Sequence, residues 1–482
     1  MSVHIQVSKY SRNYYDVLVY AVSFLFFIAI TLLASYAGRS IITNDQWHFL
    51  GIIKDYYQHQ LSFSDLWSGH GVHRQPIYRL LFLIDAIYFH LNVKLEIYVG
   101  LSALLLMSIL IYSHYKASLQ NIVSPLKSQL GFLVIAAVLF SFNQWNLYFF
   151  SLSALDEFLG NLLFVWLWCY MDVGIRRSLT HGFIVIFGLI YTLLLLAFGE
   201  GRGAAVIIAT LIVVFLTGRS QNGLTNPKFR LLVAVTLVCS IGSQLIYWFV
   251  PPRLEQSGQL INNFLYVLTH LWGAIQFSVF TLGSSLLNRL WVDYYSNYRP
   301  TMYIIGIVVI FGYMYAAWLF IKYRMWKKTW LPLVFMLYSL LFLGLLVVGR
   351  YGADYIGSTG APRYATDLQF GIIGILWIFF YAYNSVSPFH GMRIKSIIVC
   401  SITFVILMQI GSGLLMVKIA ASYKRFDQNF VHYIVNLKPV ENPSTHRVSL
   451  CPNLALCIQG IEILKRYNLK PFQASLKPSV EQ

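Results

Sequence analysis

Charge is what this sequence has least of. Only 11% of its 482 residues are Asp, Glu, Lys or Arg, whereas 58% are hydrophobic and the mean hydropathy is +0.64. A soluble domain carries charge on roughly a quarter of its residues, so that class is excluded and a polytopic membrane protein remains. Acids are scarcer than bases, 18 against 35. The resulting net charge of +17 does not point to nucleic acid, because much of it sits in short loops where membrane insertion and anionic lipid account for it. Cysteine is also rare. With five cysteines a disulfide scaffold is excluded; Cys169, Cys239 and Cys400 fall in apolar runs, and Cys451 and Cys457 could pair if the tail is periplasmic. Internal repeats, low-complexity tracts, a Walker loop and a dinucleotide fingerprint are all missing, and with them any sign of nucleotide-driven transport.

Long apolar runs, by contrast, are abundant. Residues 17–37 can cross a hydrocarbon core of about 30 Å and have no small-residue cleavage site, so they read as an uncleaved first helix. Lys9 and Arg12 on its N-terminal flank place the N-terminus in the cytoplasm and residue 38 onward outside. Ten further runs, at 95–114, 129–143, 156–171, 183–199, 203–217, 231–250, 301–320, 330–349, 367–383 and 397–417, make eleven spans. The cytoplasmic loops then hold 15 of the 35 bases and, of the acids, only Asp16 and Asp172.

Two apolar stretches do not fit as spans. If 76–91 crossed, every later basic loop would face outward, so it is expected to lie at the outer interface as an amphipathic helix carrying Arg79 and Asp85. Residues 260–290 read either as a similar helix or as a re-entrant pair, with zero crossings preferred. The expected fold is therefore an all-α polytopic bundle of about eleven transmembrane helices. Residues 1–417 form the membrane module, with a first outer loop at 38–94, and residues 418–482 form a small periplasmic segment.

Polar groups at membrane depth are costly and usually mark a substrate path, so their sidedness matters. Nearly all the acids apart from Asp16 and Asp172 fall in the outer half. The first outer loop is the densest place, with Asp45, His48, Asp55, His70, His73 and Arg74. Residues 45–60 read as a helix capped by Thr43 or Asn44, with Trp47, Leu50 and Ile53 on one face. Asp45 at its start could accept a proton from a hydroxyl nucleophile, or could serve only as part of the cap. His70 and His73 have a metal-like HxxH spacing but no convincing third ligand, so no metal is assigned. Arg74 suits capture of a lipid phosphate or, alternatively, anchoring at the interface. Further outer clusters are Asp156 and Glu157, Glu200 and Arg202 in a glycine-rich turn, and the 349–367 loop with Arg350, Asp354, Arg363, Tyr364 and Asp367.

These features together resemble the GT-C membrane glycosyltransferases: an acid beyond span one, the string VHRQPIYRLLFLID before an interfacial helix, a glycine-rich outer turn and the GR…APRY loop. More narrowly, their order is similar to that of bacterial serotype-converting enzymes that add glucose to O-antigen. The resemblance implies an inner-membrane transferase without a cofactor. It would take a sugar from a polyprenyl-phosphate donor to a polysaccharide or lipid-linked oligosaccharide acceptor on the periplasmic face. It further implies Asp45 as general base with Asp55 second, and His48, His73, Arg74, Glu200, Arg202, Arg350, Arg363 and Tyr364 as substrate-binding residues. Many relatives show two adjacent acids in the first loop where this chain has Asn44–Asp45–Gln46, which favours metal-free catalysis. The competing readings are an O-antigen polymerase or ligase, and a lipid-linked sugar flippase or transporter.

Overall fold

Backbone amides have no water partner at membrane depth, so apolar runs of this length must fold as helices. The computed structural model describes residues 2–70, 73–120, 122, 125–177, 179–199, 201–220, 225–251, 259–352, 359–385, 392–436 and 454–473. In chain order its helices are α1 (Ser2–Ala37), α2 (Leu50–Tyr57), α3 (Phe63–Trp67), α4 (Pro76–Phe89), α5 (Val93–Leu119), α6 (Pro125–Leu139), α7 (Trp145–Phe149), α8 (Ser151–Arg177), α9 (His181–Phe198) and α10 (Gly203–Ser220). There follow α11 (Pro227–Phe249), α12 (Gln259–Thr269), α13 (Leu271–Ser284), α14 (Leu290–Tyr294), α15 (Arg299–Lys322), α16 (Leu331–Leu346), α17 (Ala365–Ser385), α18 (Met392–Asn436) and α19 (Leu454–Arg466). A two-residue antiparallel pair, β1 (Gly69–His70) and β2 (His73–Arg74), interrupts the first loop, with His70 opposite His73.

Among the described residues ten helical segments are long and apolar enough to span a membrane, and they coincide with ten of the eleven expected runs. The eleventh, 203–217, falls on α10, whose apolar part Gly203–Arg219 is shorter than the others. The 260–290 stretch folds as the helix pair α12 and α13, bent by 100° at His270. α13 lies tightly along α15: a Cβ on Gly283 would sit 2.0 Å from the Met302 carbonyl oxygen, and one on Gly306 would sit 1.9 Å from that of Val279. Only glycine permits this backbone approach. At the centre, α17 is the most enclosed span, packed between α16, α15 and α6.

Call the end of the bundle that carries the 44–49 turn its upper end. At the lower end both acids expected on that side are paired with expected bases. Asp16 bonds Lys116 and accepts from the Tyr112 hydroxyl at 2.6 Å. Asp172 lies 2.6 Å from Arg176 and also accepts from the Trp330 backbone N–H (2.9 Å) and the Thr329 hydroxyl (3.1 Å).

Two expectations need correction. The helix at 76–91 exists as α4, but its polar residues point the other way: Arg79 and Asp85 are buried, while Leu80, Ile84 and Tyr88, at successive helical steps, are exposed. The partners are internal, since Arg79 donates to the Asp65 carbonyl (2.8 Å) and the Ser68 hydroxyl (2.6 Å). The last span, moreover, does not end near 417. Its helix runs unbroken to Asn436, and the tail returns as α19, whose Gly460 lies against Trp47 and Leu50 of the first loop.

The buried Asp85 generates a pH dependence. Burial pushes its carboxyl up from 3.8 to about 6, against the opposing effects of the Asn92 N–H and Lys470. A group with a raised folded pKa contributes stability that is present below about pH 4 and lost as pH rises through about 6, here on the order of 3 kcal/mol. Asp85→Asn should therefore melt at a higher temperature than the parent at pH 7.5, with the difference vanishing towards pH 4. Melting curves of both proteins in detergent at pH 4, 5.5 and 7.5 check this, and a difference independent of pH would refute it.

Candidate active site

The turn at Asn44–Phe49 is the most heavily braced part of the first loop. Gln46 turns inward, and its side-chain oxygen accepts from the Thr43 N–H at 3.1 Å. Its amide nitrogen lies 2.8 Å from the Tyr78 hydroxyl, 2.8 Å from the Ser151 hydroxyl and 3.4 Å from Glu96. Trp47 and Phe49 are buried beside it, with Phe49 against Tyr78 (5.4 Å) and under the Arg79 guanidinium (4.9 Å). Asn44 adopts φ +51, a left-handed conformation that Asn tolerates better than most side chains and that reverses the chain just before Asp45. Asp45 and His48 consequently stand on the exposed side of the turn. Thr43 and Gln46 form a capping box for this turn, and Asp45 lies in its first turn.

α2 continues from this turn and buries Ile53 along with Leu50, while Asp55 is half-buried. Tyr57 stacks on Tyr467 at 4.4 Å, so the C-terminal element clamps the first loop from outside. A Cβ on Gly460 would come within 2.6 Å of the Trp47 ring.

Arg74 has a structural task. Its Nε and both terminal nitrogens donate to three main-chain carbonyls, those of Tyr247 (2.7 Å), Trp67 (2.9 Å) and Val250 (2.8 Å), and it is fully buried. The guanidinium joins β2 to the end of α11 and is closed to a lipid phosphate. His73 lies beside it on β2; its side chain and Glu200 are outside the described residues.

Arg202 brings the remaining outer clusters together. From the turn between α9 and α10 its Nη2 reaches Asp156 at 3.1 Å and Glu157 at 3.0 Å, both on the first turns of α8. Burial opposes the Arg202 charge, but Glu157 and Asp156 outweigh it and raise its pKa above the ordinary value. Asp367 is fully buried within electrostatic reach of Arg202 and accepts from the Tyr338 hydroxyl at 2.5 Å. The carboxylates that hold Arg202 thus come from a different helix, and Glu200 of its own turn lies outside the described residues. Among the described residues no three His, Cys, Asp or Glu side chains gather as a metal site requires.

The two arginines of the later loop are differently placed. Arg350 is half-exposed in a turn of π-helix, Val347–Tyr351, that ends α16; such turns recur at functional sites. Arg363 is half-exposed above the Tyr364 ring at 4.8 Å. Among the described residues neither is ion-paired, and the buried Arg363 Nε and Tyr364 hydroxyl have no hydrogen-bond partner. Asp354 lies outside the described residues.

Amides missed in the sequence complete this end. Gln144 bonds Thr366, Asn143 donates to the Ser285 carbonyl (2.9 Å), Asn288 donates to the Phe142 carbonyl (2.8 Å) and Gln369 reaches Ser285 (3.3 Å). The signal was present as the polar triplet Asn143–Gln144 and Asn146 inside an apolar run, at the break between α6 and α7.

The molecule is thus an all-α, multi-pass membrane protein with a braced first-loop turn bearing Asp45 and, between its spans, an ion cluster centred on Arg202. No family model matches the chain, and no curated protein matches its sequence. Among solved structures it is similar to the Archaeoglobus fulgidus oligosaccharyltransferase in the apo form, with 12% identity, a TM-score of 0.37, and coverage of 86% of this chain and 58% of that one. The same enzyme in complex with zinc and sulfate gives 13% identity, a TM-score of 0.35, and coverage of 80% and 53%. The chain spans little more than half the length of those structures.

Removing Arg202 strips its counter-charge from Asp156 and Glu157. Arg202→Gln is expected to cost on the order of 3–5 kcal/mol and most of the folded yield. The triple variant with Asp156→Asn and Glu157→Gln should recover it. Size-exclusion profiles and melting temperatures in detergent test this; a single variant as stable as the parent would refute it.

Proposed function

We propose that this chain is a GT-C-type glycosyltransferase moving a sugar, glucose in the first instance, from undecaprenyl phosphate to a hydroxyl of O-antigen or a related cell-surface polysaccharide. The reaction takes place on the periplasmic side of a bacterial inner membrane. The observation that carries the proposal is Asp45, a carboxylate held on the exposed side of a turn whose reverse side is bonded to Tyr78 and Ser151. A base held this rigidly can meet a hydroxyl without first ordering its own backbone.

The chemistry needs one proton removed and one leaving group stabilised. As Asp45 accepts the acceptor's hydroxyl proton, the oxygen attacks the anomeric carbon from the side opposite the phosphate. The bond from that carbon to the phosphate oxygen breaks, its electron pair leaves with the polyprenyl phosphate, and the sugar inverts. Arg350 and Arg363, unpaired among the described residues, would offset the charge gathering on the phosphate. His48, exposed one helical turn from Asp45, would contact sugar hydroxyls, whereas Tyr364 is buried beside Arg363 and would act by supporting that arginine. Arg74 and Arg202, both engaged in the scaffold, take no part in this step.

One observation favours the transporter reading: the Arg202, Asp156, Glu157 and Asp367 cluster is buried between spans, where transporters keep ionisable groups. The two readings separate in one assay. Labelled glucose on polyprenyl phosphate is mixed with lipopolysaccharide acceptor and detergent-purified protein. Transfer should fall by roughly 10²- to 10⁴-fold in Asp45→Asn and less than threefold in Asp55→Asn. Undiminished transfer by folded Asp45→Asn sinks the base assignment. Flipping of the labelled carrier in vesicles without any transfer would establish the transporter.

A further inference from the structure

At the upper end of α1 an open pocket of about 460 Å³ lies between α1, the start of α5 and the extension of α18. Ser35, Tyr36, Lys94, Lys424, Asp427 and Gln428 line it. Both lysines are half-buried, yet neither has a carboxylate partner among the described residues. The Lys94 ammonium donates to the Ser35 carbonyl at 3.0 Å, and the Lys424 ammonium stands 4.4 Å above the Tyr36 ring. The single carboxylate in the wall is engaged elsewhere: Asp427 accepts from the Ser40 hydroxyl (2.6 Å) and N–H (3.2 Å) and lies 3.9 Å from Arg39. The cavity therefore carries surplus positive charge.

Its position supplies the second constraint. Below it, α1 exposes Leu25 and Leu32 and α18 exposes Leu414 and Val417, so an apolar ridge descends from the cavity along both helices. A ligand fitting both halves has an anionic head and hydrocarbon tails. The geometry points to a binding site for the phosphodiester of an anionic glycerophospholipid in the outer leaflet. Lys94 and Lys424 contact the phosphate, and Gln428 accepts from headgroup hydroxyls such as those of phosphatidylglycerol. Two half-buried ammoniums held by a carbonyl and a ring gain more from a phosphate than from water. A second cavity of about 410 Å³ on the far side of Asp427, lined by Val431 and His432, leaves room for a larger headgroup. This site holds whichever reaction the upper end performs, because its test reads binding alone.

The test is native mass spectrometry of the full chain in neutral detergent, titrated with phosphatidylglycerol, phosphatidylcholine or undecaprenyl phosphate. Phosphatidylglycerol should bind at least tenfold tighter than phosphatidylcholine. Lys94→Gln and Lys424→Gln should each weaken it about fivefold, and together about 25-fold. Lys418→Gln, a change on the same helix outside the cavity, should leave it within twofold. Lys424→Gln lies on a half-exposed helix surface, so it serves if the double variant does not fold, and Lys424→Arg should restore binding. A double variant within twofold of the parent, equal weakening by Lys418→Gln, or tighter binding of undecaprenyl phosphate than of phosphatidylglycerol would each overturn the assignment.

Discussion

A buried guanidinium needs its charge and its N–H groups met by acceptors in contact, and Arg202 meets that constraint by holding two carboxylates of α8. The far end of α8 is fixed the same way, by Asp172 against Arg176, Thr329 and Trp330. Sixteen helical residues, about 24 Å, separate the two anchors, close to the thickness of a bilayer core. α8 is thus pinned towards both of its ends, with its upper pin beside Asp367 and Tyr338 of α17 and α16.

The first loop inherits this rigidity. Gln46 bonds Ser151, the first residue of α8, so the turn bearing Asp45 is registered on the anchored helix rather than floating above it. About 7.5 Å along the helix, Asp156 begins the buried cluster. From the other side α19 closes over Trp47 and Leu50, while the extension of α18 holds the 39–40 segment through Asp427. The turn is therefore fixed from the membrane side and from the tail side, while one face stays open. This combination of fixed backbone and accessible carboxylate suits proton transfer, and it is bought with the left-handed backbone of Asn44.

The spans were legible in the sequence because hydropathy over about twenty residues is a local property and the membrane selects on it. So was the buried face of the first loop, since Trp47, Leu50 and Ile53 follow helical spacing. Partnership was not legible. Arg74 reads as a phosphate receptor and Arg202 as part of a glycine-rich turn, but Arg74 binds the end of α11 and Arg202 binds α8, partners more than forty residues away in sequence. The inward turn of Arg79 and Asp85 escaped for the same reason: an amphipathic pattern shows that two faces differ, not which one meets the protein. Gln46 and Gln144 drew no attention because amides carry no charge, although each bridges several elements. The continuation of α18 to Asn436 was masked by its change from apolar to polar composition where the helix leaves the membrane.

The central claim is a single displacement assisted by Asp45, and the anomeric configuration of the product tests it most directly. The linkage formed from a polyprenyl-phosphate sugar of known configuration can be read from proton coupling constants by nuclear magnetic resonance. The account predicts complete inversion relative to the donor. A retained configuration would contradict it, since that outcome requires a second displacement or a different route.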